Sequence, residues 1–350
     1  MIDLLYSEVE EELRASVRSL LSDRVDHSRL EGPEPVDLKL WRTLAADLGC
    51  SGLPVAESAG GAGASWRETA VVMEELGRFV APVPFLGSAV LSVAALPSGD
   101  PLLRDLATGA RTATLAVPLS TSDSPSWTVA ASGAALSGSV TTVADALTAD
   151  VFLVPTAAGL FAAEAADVSR TPVVSLDLTR PVADLAFDGA PARLVAPDAA
   201  PLVGRALLAG AALLASEQLG IAEWCLATTV EYAKTRRQFA RQIGSYQAIK
   251  HRLADLWVAA TQARAVARYA ADCLANDDSD LPVAASLAQA FCSPLAVKAA
   301  EECVQLHGGI GFTWEHPAHW YLKRARANAI ALGSAARHRA LLADLVDLPA

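Results

Sequence analysis

QLHGGIGFTWEHPAHWYLKRARANAIALGS, residues 305–334, joins the end of one helical pattern to the start of another. Ala299–His307 has the spacing of a helix terminus. Gly308, Gly309 and Gly311 then supply backbone that turns sharply and lets another group approach with no Cβ in the way. Two readings fit these residues: a turn that takes a phosphate, and a plain loop that ends a helix. With no preceding strand and no third glycine at Rossmann spacing, the glycines alone do not separate them. His316 and His319, with Cys303 and His307 upstream, are metal-ligand types. Pro317 and the three loop glycines interrupt the set, so no metal is expected.

Composition limits what surrounds that stretch. The 350 residues suffice for two or three domains, each with its own core. The content is 52% hydrophobic and only 6% aromatic, the signature of an aliphatic, alanine-rich soluble protein. No uninterrupted apolar run approaches the roughly 20 residues of a membrane span. The opening MIDLLYSEVEEELRASVRSLL is acidic and amphipathic, unlike a signal peptide. A cytoplasmic protein with no membrane partner is therefore expected. The five cysteines are scattered, without C-x-x-C, and imply neither a disulfide framework nor zinc. A net charge of −11 and the lack of a basic stripe argue against nucleic acid.

In chain order, Glu8–Val25 carries Val9, Leu13, Val17, Leu20, Leu21 and Val25 at helical spacing. LEGPEPVD follows as a turn region, and Leu38–Leu48 is a second helix that Gly49 can end. The small-residue loop Ala59–Ser65 leads into a helix to about Arg78; no Lys-Ser/Thr follows its glycines, so it reads as a connector rather than a phosphate loop. Helices at Gly87–Ala95 and Asp100–Ala107 complete a helical first part. From Thr112 the period changes. ATLAVP, WTVAA, ALSGSVTTV, DVFLVPT, GLFAAE and PVVSLDL are short β-branched or alanine-rich runs broken by Ser, Gly, Pro and Asp. They predict a compact antiparallel β-domain to about Pro201. Long helices then return at Leu202–Arg236, Ser245–Asn276, Pro282–His307, Ala318–Asn328 and Ser334–Val346, as in a bundle. The fold class is α+β, divided as 1–111 helical, 112–201 β and 202–350 helical.

Three motifs carry a resemblance over nearly the whole chain. They are W-x-x-L-A-x-x-L-G at Trp41–Gly49 with Glu74-Glu75-Leu76-Gly77-Arg78 after it, TRRQFARQIGSYQAIKHRLADL at 235–256, and QLHGGIGF at 305–312. Together they resemble the acyl-CoA dehydrogenase family. The resemblance implies that FAD is the cofactor, with Arg236 at its pyrophosphate, Phe239 near the adenine and Gln247 at the adenosine end. Gln305 and Gly309, from the family's Q-x-x-G-G motif, would hold the FAD of a neighbouring subunit. An Arg fork matches phosphate geometry and an aromatic face packs on a flat base. Taken singly, Arg236 and Phe239 also read as a helix-end cation and a core residue.

The family reaction is α,β-dehydrogenation of an acyl thioester, for which the protein supplies a carboxylate to take the α-proton. Most members carry this Glu just before Gly-Thr; the matching residue here is Leu332, before Gly333-Ser334. Other members carry it on the first long helix of the bundle, where this chain has Gly210. Glu217 lies seven residues on, about 10 Å along a helix. The ring-side segments depart as well: AVPLSTSDSPS (116–126) and SGSVTTVADA (137–146) stand where the family has a T-E-P-like loop and W-I-T/S, and Ala336 stands in place of Gln or Glu. No catalytic residue is expected. The contrast implies a base-less subunit of a heteromeric enzyme, as in actinobacterial α2β2 enzymes of steroid side-chain degradation, with a homologous catalytic partner, an acyl-CoA substrate and electron-transfer flavoprotein or a similar acceptor. The alternative is a flavin-free interaction or acyl-CoA-binding protein with the dehydrogenase fold.

Overall fold

The computed structural model describes residues 4–32, 35–123 and 126–347. Two residues of the LEGPEPVD turn and Ser124 and Pro125 of the 116–126 loop lie outside them. Helix α1 (Glu8–Arg24) starts from a reciprocal cap: Glu10 N–H donates to the Ser7 hydroxyl, while the Glu10 carboxylate accepts from Ser7 N–H. The same box, from Ser65 and Glu68, opens α3 (Trp66–Phe79). Between them, α2 (Leu38–Arg42) runs into a π-wound turn at Thr43–Asp47. A second π segment, Leu86–Ser92, leads into α4 (Val93–Ala95), and α5 (Leu102–Ala107) follows. The regular helices expected at 38–48 and 87–95 are thus widened to i→i+5 bonds, such as Leu48 N–H to Thr43 O.

Seven strands come next: β1 (Ala113–Leu115), β2 (Val129–Ser132), β3 (Ala135–Ala144), β4 (Val151–Thr156), β5 (Gly159–Glu164), β6 (Ser169–Val173) and β7 (Val182–Ala196). Their order is β1-β4-β5-β7-β3-β2, with β6 also on β7. The first part of β7 pairs with β3 and β6 and its last residues pair with β5, so one strand joins two layers. Leu136, Phe152, Phe161, Leu185 and Phe187 fill the space between.

Two expectations are corrected here, and one strand is added. The β-region is not wholly antiparallel, because β1 pairs with β4 in parallel, Ala113 opposite Val151; the whole β2–β3 hairpin intervenes, giving the long crossover a parallel pair requires. PVVSLDL is strand only at its first two residues: β6 ends at Val173, and Asp177 then turns the chain, its Oδ1 accepting from Thr179 N–H at 2.9 Å. The longest strand, β7, went unrecognised because ADLAFDGAPARLVA is rich in Ala, Gly, Pro and Asp, all weak strand formers.

The bundle consists of α6 (Ala200–Thr235), a small hairpin β8 (Arg237–Gln238) and β9 (Arg241–Gln242), then α7 (Gln247–Ala275), α8 (Leu281–His307), α9 (Ala318–Asn328) and α10 (Ala335–Leu345). The segments Ala200–Thr235 and Leu281–Phe312 are long and apolar enough to cross a membrane, yet 78% and 67% of their most apolar windows are buried inside the protein. They are core helices. One apolar core runs from Val17, Leu44 and Met73 through Leu213 and Leu219 to Ala296 and Cys303, so the first helices and the bundle are packed as one body.

Candidate functional site

The two positions at which a base was sought, 122 residues apart in sequence (332 − 210), face each other. Leu332 sits in the loop after α9, 1% exposed and with φ +54°. A Cβ added to Gly210 on α6 would lie 2.8 Å from Leu332 Cδ1 and 2.6 Å from Leu91 Cδ2. The space between the two positions is therefore filled by two leucine side chains. From the β-side, Leu332 N–H donates to Leu119 O at 2.7 Å, and Leu119 N–H donates to Thr142 O at 3.0 Å. Both ring-side segments identified in the sequence thus converge on Leu332. Ala336 is exposed on α10.

Glu217 cannot serve in place of a base. It is 1% exposed and accepts from Arg180 Nη2 at 2.5 Å, Arg324 Nη1 at 3.0 Å and Asn328 Nδ2 at 2.8 Å. Burial pushes its carboxyl up, but Arg180 and Arg324 outweigh that and hold it at about 2. Arg324 also reaches Asp177 Oδ2 at 2.7 Å, tying α6 and α9 to the turn before β7. Nothing in the sequence pairs Arg180, Asp177, Glu217 and Arg324, which are far apart in the chain.

The five cofactor-site candidates gather at the opposite ends of these long helices, and all are exposed. Arg236 follows the last turn of α6, and Phe239 is 90% exposed at the tip of the β8–β9 hairpin, where Phe239 and Ala240 both take positive φ. Gln247 is the first residue of α7, a helix start without a side-chain cap. Gln305 lies in the last turn of α8, and Gly309 has open space where a Cβ would stand. Two contacts bring them together. Tyr232, one turn before Arg236, stacks on His307 at 4.4 Å between ring centroids. Arg252 near the start of α7 pairs with Glu302 near the end of α8 at 2.5 Å. His307 is itself fixed, its Nδ1 2.7 Å from Cys303 O.

The side chains of Arg236, Gln247 and Gln305 bond to nothing among the described residues, so a guanidinium and two amides point outward from one end of the bundle. A guanidinium fork and two amides are donors that could hold a phosphate-linked group. Exposed apolar side chains follow the glycine turn at Ile310, Phe312 and Trp314, and Trp257 and Val258 are exposed farther along α7. Among the described residues no group of three or more His, Cys, Asp or Glu is arranged to hold a metal.

Comparison with known proteins identifies the family. Residues 7–99 match the acyl-CoA dehydrogenase N-terminal domain and 201–346 the C-terminal domain. The chain is 35% identical to the acyl-CoA dehydrogenase IpdE2 of Mycobacterium tuberculosis over 331 residues, 92% of each chain. It is 36% identical to IpdE2 of Mycolicibacterium smegmatis, over 93% of this chain and 95% of that one. Among solved structures it is similar to a chain of the ChsE4-ChsE5 complex from Mycobacterium tuberculosis, with a TM-score of 0.89 and 29% identity over the whole of both chains. Butyryl-CoA dehydrogenase of Megasphaera elsdenii, 20% identical with a TM-score of 0.86 over 99% of this chain and 100% of that one, shares the fold.

Proposed function

This chain belongs to the acyl-CoA dehydrogenase family, whose cofactor is FAD, and from that premise we propose that it is the base-less subunit of a heteromeric enzyme. In this reading it lends Arg236, Phe239, Gln247, Gln305 and Gly309 to an FAD shared with a homologous catalytic subunit, in an α2β2 assembly in the cytoplasm. FAD held there would supply the hydride acceptor for the β-carbon of an acyl-CoA, with electron-transfer flavoprotein or a similar acceptor to reoxidise it. The observation that carries the reading is the pair Leu332 and Gly210. Both base positions lie against each other, filled by Leu332 and Leu91, with no titratable group on either.

This chain's own contribution is binding and orientation. The Arg236 fork meets a pyrophosphate, Phe239 covers the flat base, and the amides of Gln247 and Gln305 fix the adenosine end. Their exposure, together with Phe312, Trp314 and Trp257, supports burial against a second subunit. The segments 1–111, 112–201 and 202–350 would act there as a single body, because the first and third share a core. The similar ChsE4-ChsE5 chain comes from a complex, and a Tcur3481-Tcur3483 steroid ACAD, 30% identical with a TM-score of 0.85 over 97% of this chain and 98% of that one, is named for two components as well. The steroid named for the Tcur3481-Tcur3483 relative favours a steroid-derived acyl-CoA as substrate.

Arg236→Ala in this chain tests the shared site while leaving the partner untouched. Losing one hydrogen-bonded charge contact, worth roughly 1.5–3 kcal/mol, should weaken FAD about ten- to a hundredfold. Arg236→Lys should restore part of this, because an ammonium lacks the planar fork. Flavin absorbance and subunit stoichiometry are read in the same gel-filtration fractions. An intact heteromer with normal flavin content and affinity after Arg236→Ala would overturn the shared site and favour a flavin-free interaction protein.

A further inference from the structure

Between the 119–123 loop, α6, the start of α8 and α10 lies a cavity of about 360 Å³. Its walls are mainly aliphatic, with Leu207, Leu208 and Ala211 on one side and Ala285, Leu341 and Leu345 on the others. Such walls offer hydrophobic contact without selecting a ligand. His338 selects. Its ring lines the cavity and is 3% exposed, with Nε2 2.9 Å from Leu332 O. A carbonyl oxygen only accepts, so Nε2 carries the proton and Nδ1 of the neutral ring has only a lone pair to offer. That Nδ1 is buried and has no hydrogen-bond partner among the described residues. Burial first, and Arg337 after it, hold the imidazole below its ordinary pKa against the pull of the Leu332 carbonyl. The ring is therefore neutral near pH 7, and a buried acceptor stands without a donor.

Charge narrows the ligand further. Among the described residues no Lys or Arg lines the cavity, whereas Asp123 and Asp344 do, and besides His338 the only other polar side chains there are the uncharged Ser122 and Ser286. Asp123 is held by Arg337 at 2.7 Å, which places that cation on the carboxylate and away from any guest. A carboxylate or phosphate inside would meet no positive partner and would pay for desolvation. We propose that the cavity binds a neutral, compact aliphatic or alicyclic molecule bearing a hydroxyl group, the hydroxyl donating to His338 Nδ1. The site uses none of the residues assigned to FAD, so it stands or falls separately from the shared-flavin reading.

Calorimetric titration of the full chain with decalol, its methyl ether and decalin carboxylate tests this. The alcohol and ether differ by one donor, so the alcohol should bind about tenfold more tightly, and the carboxylate should not bind detectably. Gly204 also lines the cavity and has open space where a Cβ would stand. Gly204→Leu should therefore fold, fill the cavity and abolish alcohol binding while flavin content of the assembled complex is unchanged. His338→Phe should make alcohol and ether equal; if that variant fails to fold, Gly204→Leu decides alone. No binding of the alcohol, equal binding of alcohol and ether to the native chain, or undiminished binding to Gly204→Leu each overturns the site.

Discussion

At Leu332 a leucine is held in left-handed backbone, φ +54°, a conformation that costs a non-glycine residue about 1–2 kcal/mol. The packing of its side chain against Gly210 and Leu91 and the bond to Leu119 O hold it there. Leu332→Glu would place a carboxylate in that apolar contact, and the acid would be favoured in its neutral form, with its pKa raised on folding. The sign follows directly. At pH 7 the unfolded chain is ionised and the folded one is penalised, so the variant should be about 2–4 kcal/mol less stable than the native protein. The deficit should shrink as pH falls toward the ordinary glutamate pKa of about 4.3. Urea unfolding of both proteins at pH 7 and pH 5 measures it. The same variant should gain no acyl-CoA oxidation; substantial turnover would show that the ring side of this chain is competent.

Between elements, α3 and α6 cross on a pair of reciprocal glycines. A Cβ on Gly77 would lie 2.0 Å from Glu217 O, and one on Gly220 would lie 2.0 Å from Glu74 O. In both cases the obstacle is backbone, which cannot rotate away. Gly77→Ala should gain about 1 kcal/mol of helix propensity and lose more to separation of the helices, for a net loss of about 2 kcal/mol or more. Gly204→Ala, on the same α6 but facing open space, should be neutral or stabilising by up to about 1 kcal/mol. Thermal unfolding of the two variants side by side distinguishes close packing from propensity; equal shifts would refute the crossing argument. Helix existence was legible because α6, α7 and α8 repeat their apolar residues over many turns. The strand β7 was not, since only its pairing on both sides with β3, β5 and β6 makes an Ala-, Gly- and Pro-containing segment extended.

For the molecule as a whole, the buried cluster of Asp177, Arg180, Glu217, Arg324 and Asn328 joins the β-region to α6 and α9. The two arginines hold the Glu217 carboxyl at about 2 in the folded state, below the ordinary glutamate value of 4.5. Its contribution is therefore present above about pH 4.5 and is lost as pH falls from there toward 2, on the order of 3 kcal/mol for this fully buried group. Asp145 nearby works the other way. Burial outweighs Arg180 and raises its carboxyl, so acidification relieves rather than costs there. Glu217→Gln should be less stable than the native protein at pH 7 and should lose less between pH 5 and pH 3, as read by denaturant titration. A parallel acid limb in both proteins would remove Glu217 from the acid response. At the same scale, the purified chain without a partner should show no acyl-CoA oxidation with an artificial electron acceptor, because neither Leu332 nor Gly210 can take a proton and Glu217 is sequestered.

Local pattern sufficed for what depends on neighbours in sequence, the long helices and the glycine turn, and resemblance to a family singled out the Arg236–Phe239 and Gln305–Gly309 motifs and the leucine in place of a carboxylate at 332. Periodicity, cap chemistry and motif spacing act over a few turns, and a single chain displays them. Tertiary structure decided everything that required distant segments to meet. It set Leu332 against Gly210, closed the 119–123 loop onto both, buried Glu217 between two arginines and left the His338 Nδ1 lone pair facing no donor. Those contacts follow from how one core draws α3, α6, α8 and the β-region together, and packing of that kind leaves no period in the sequence.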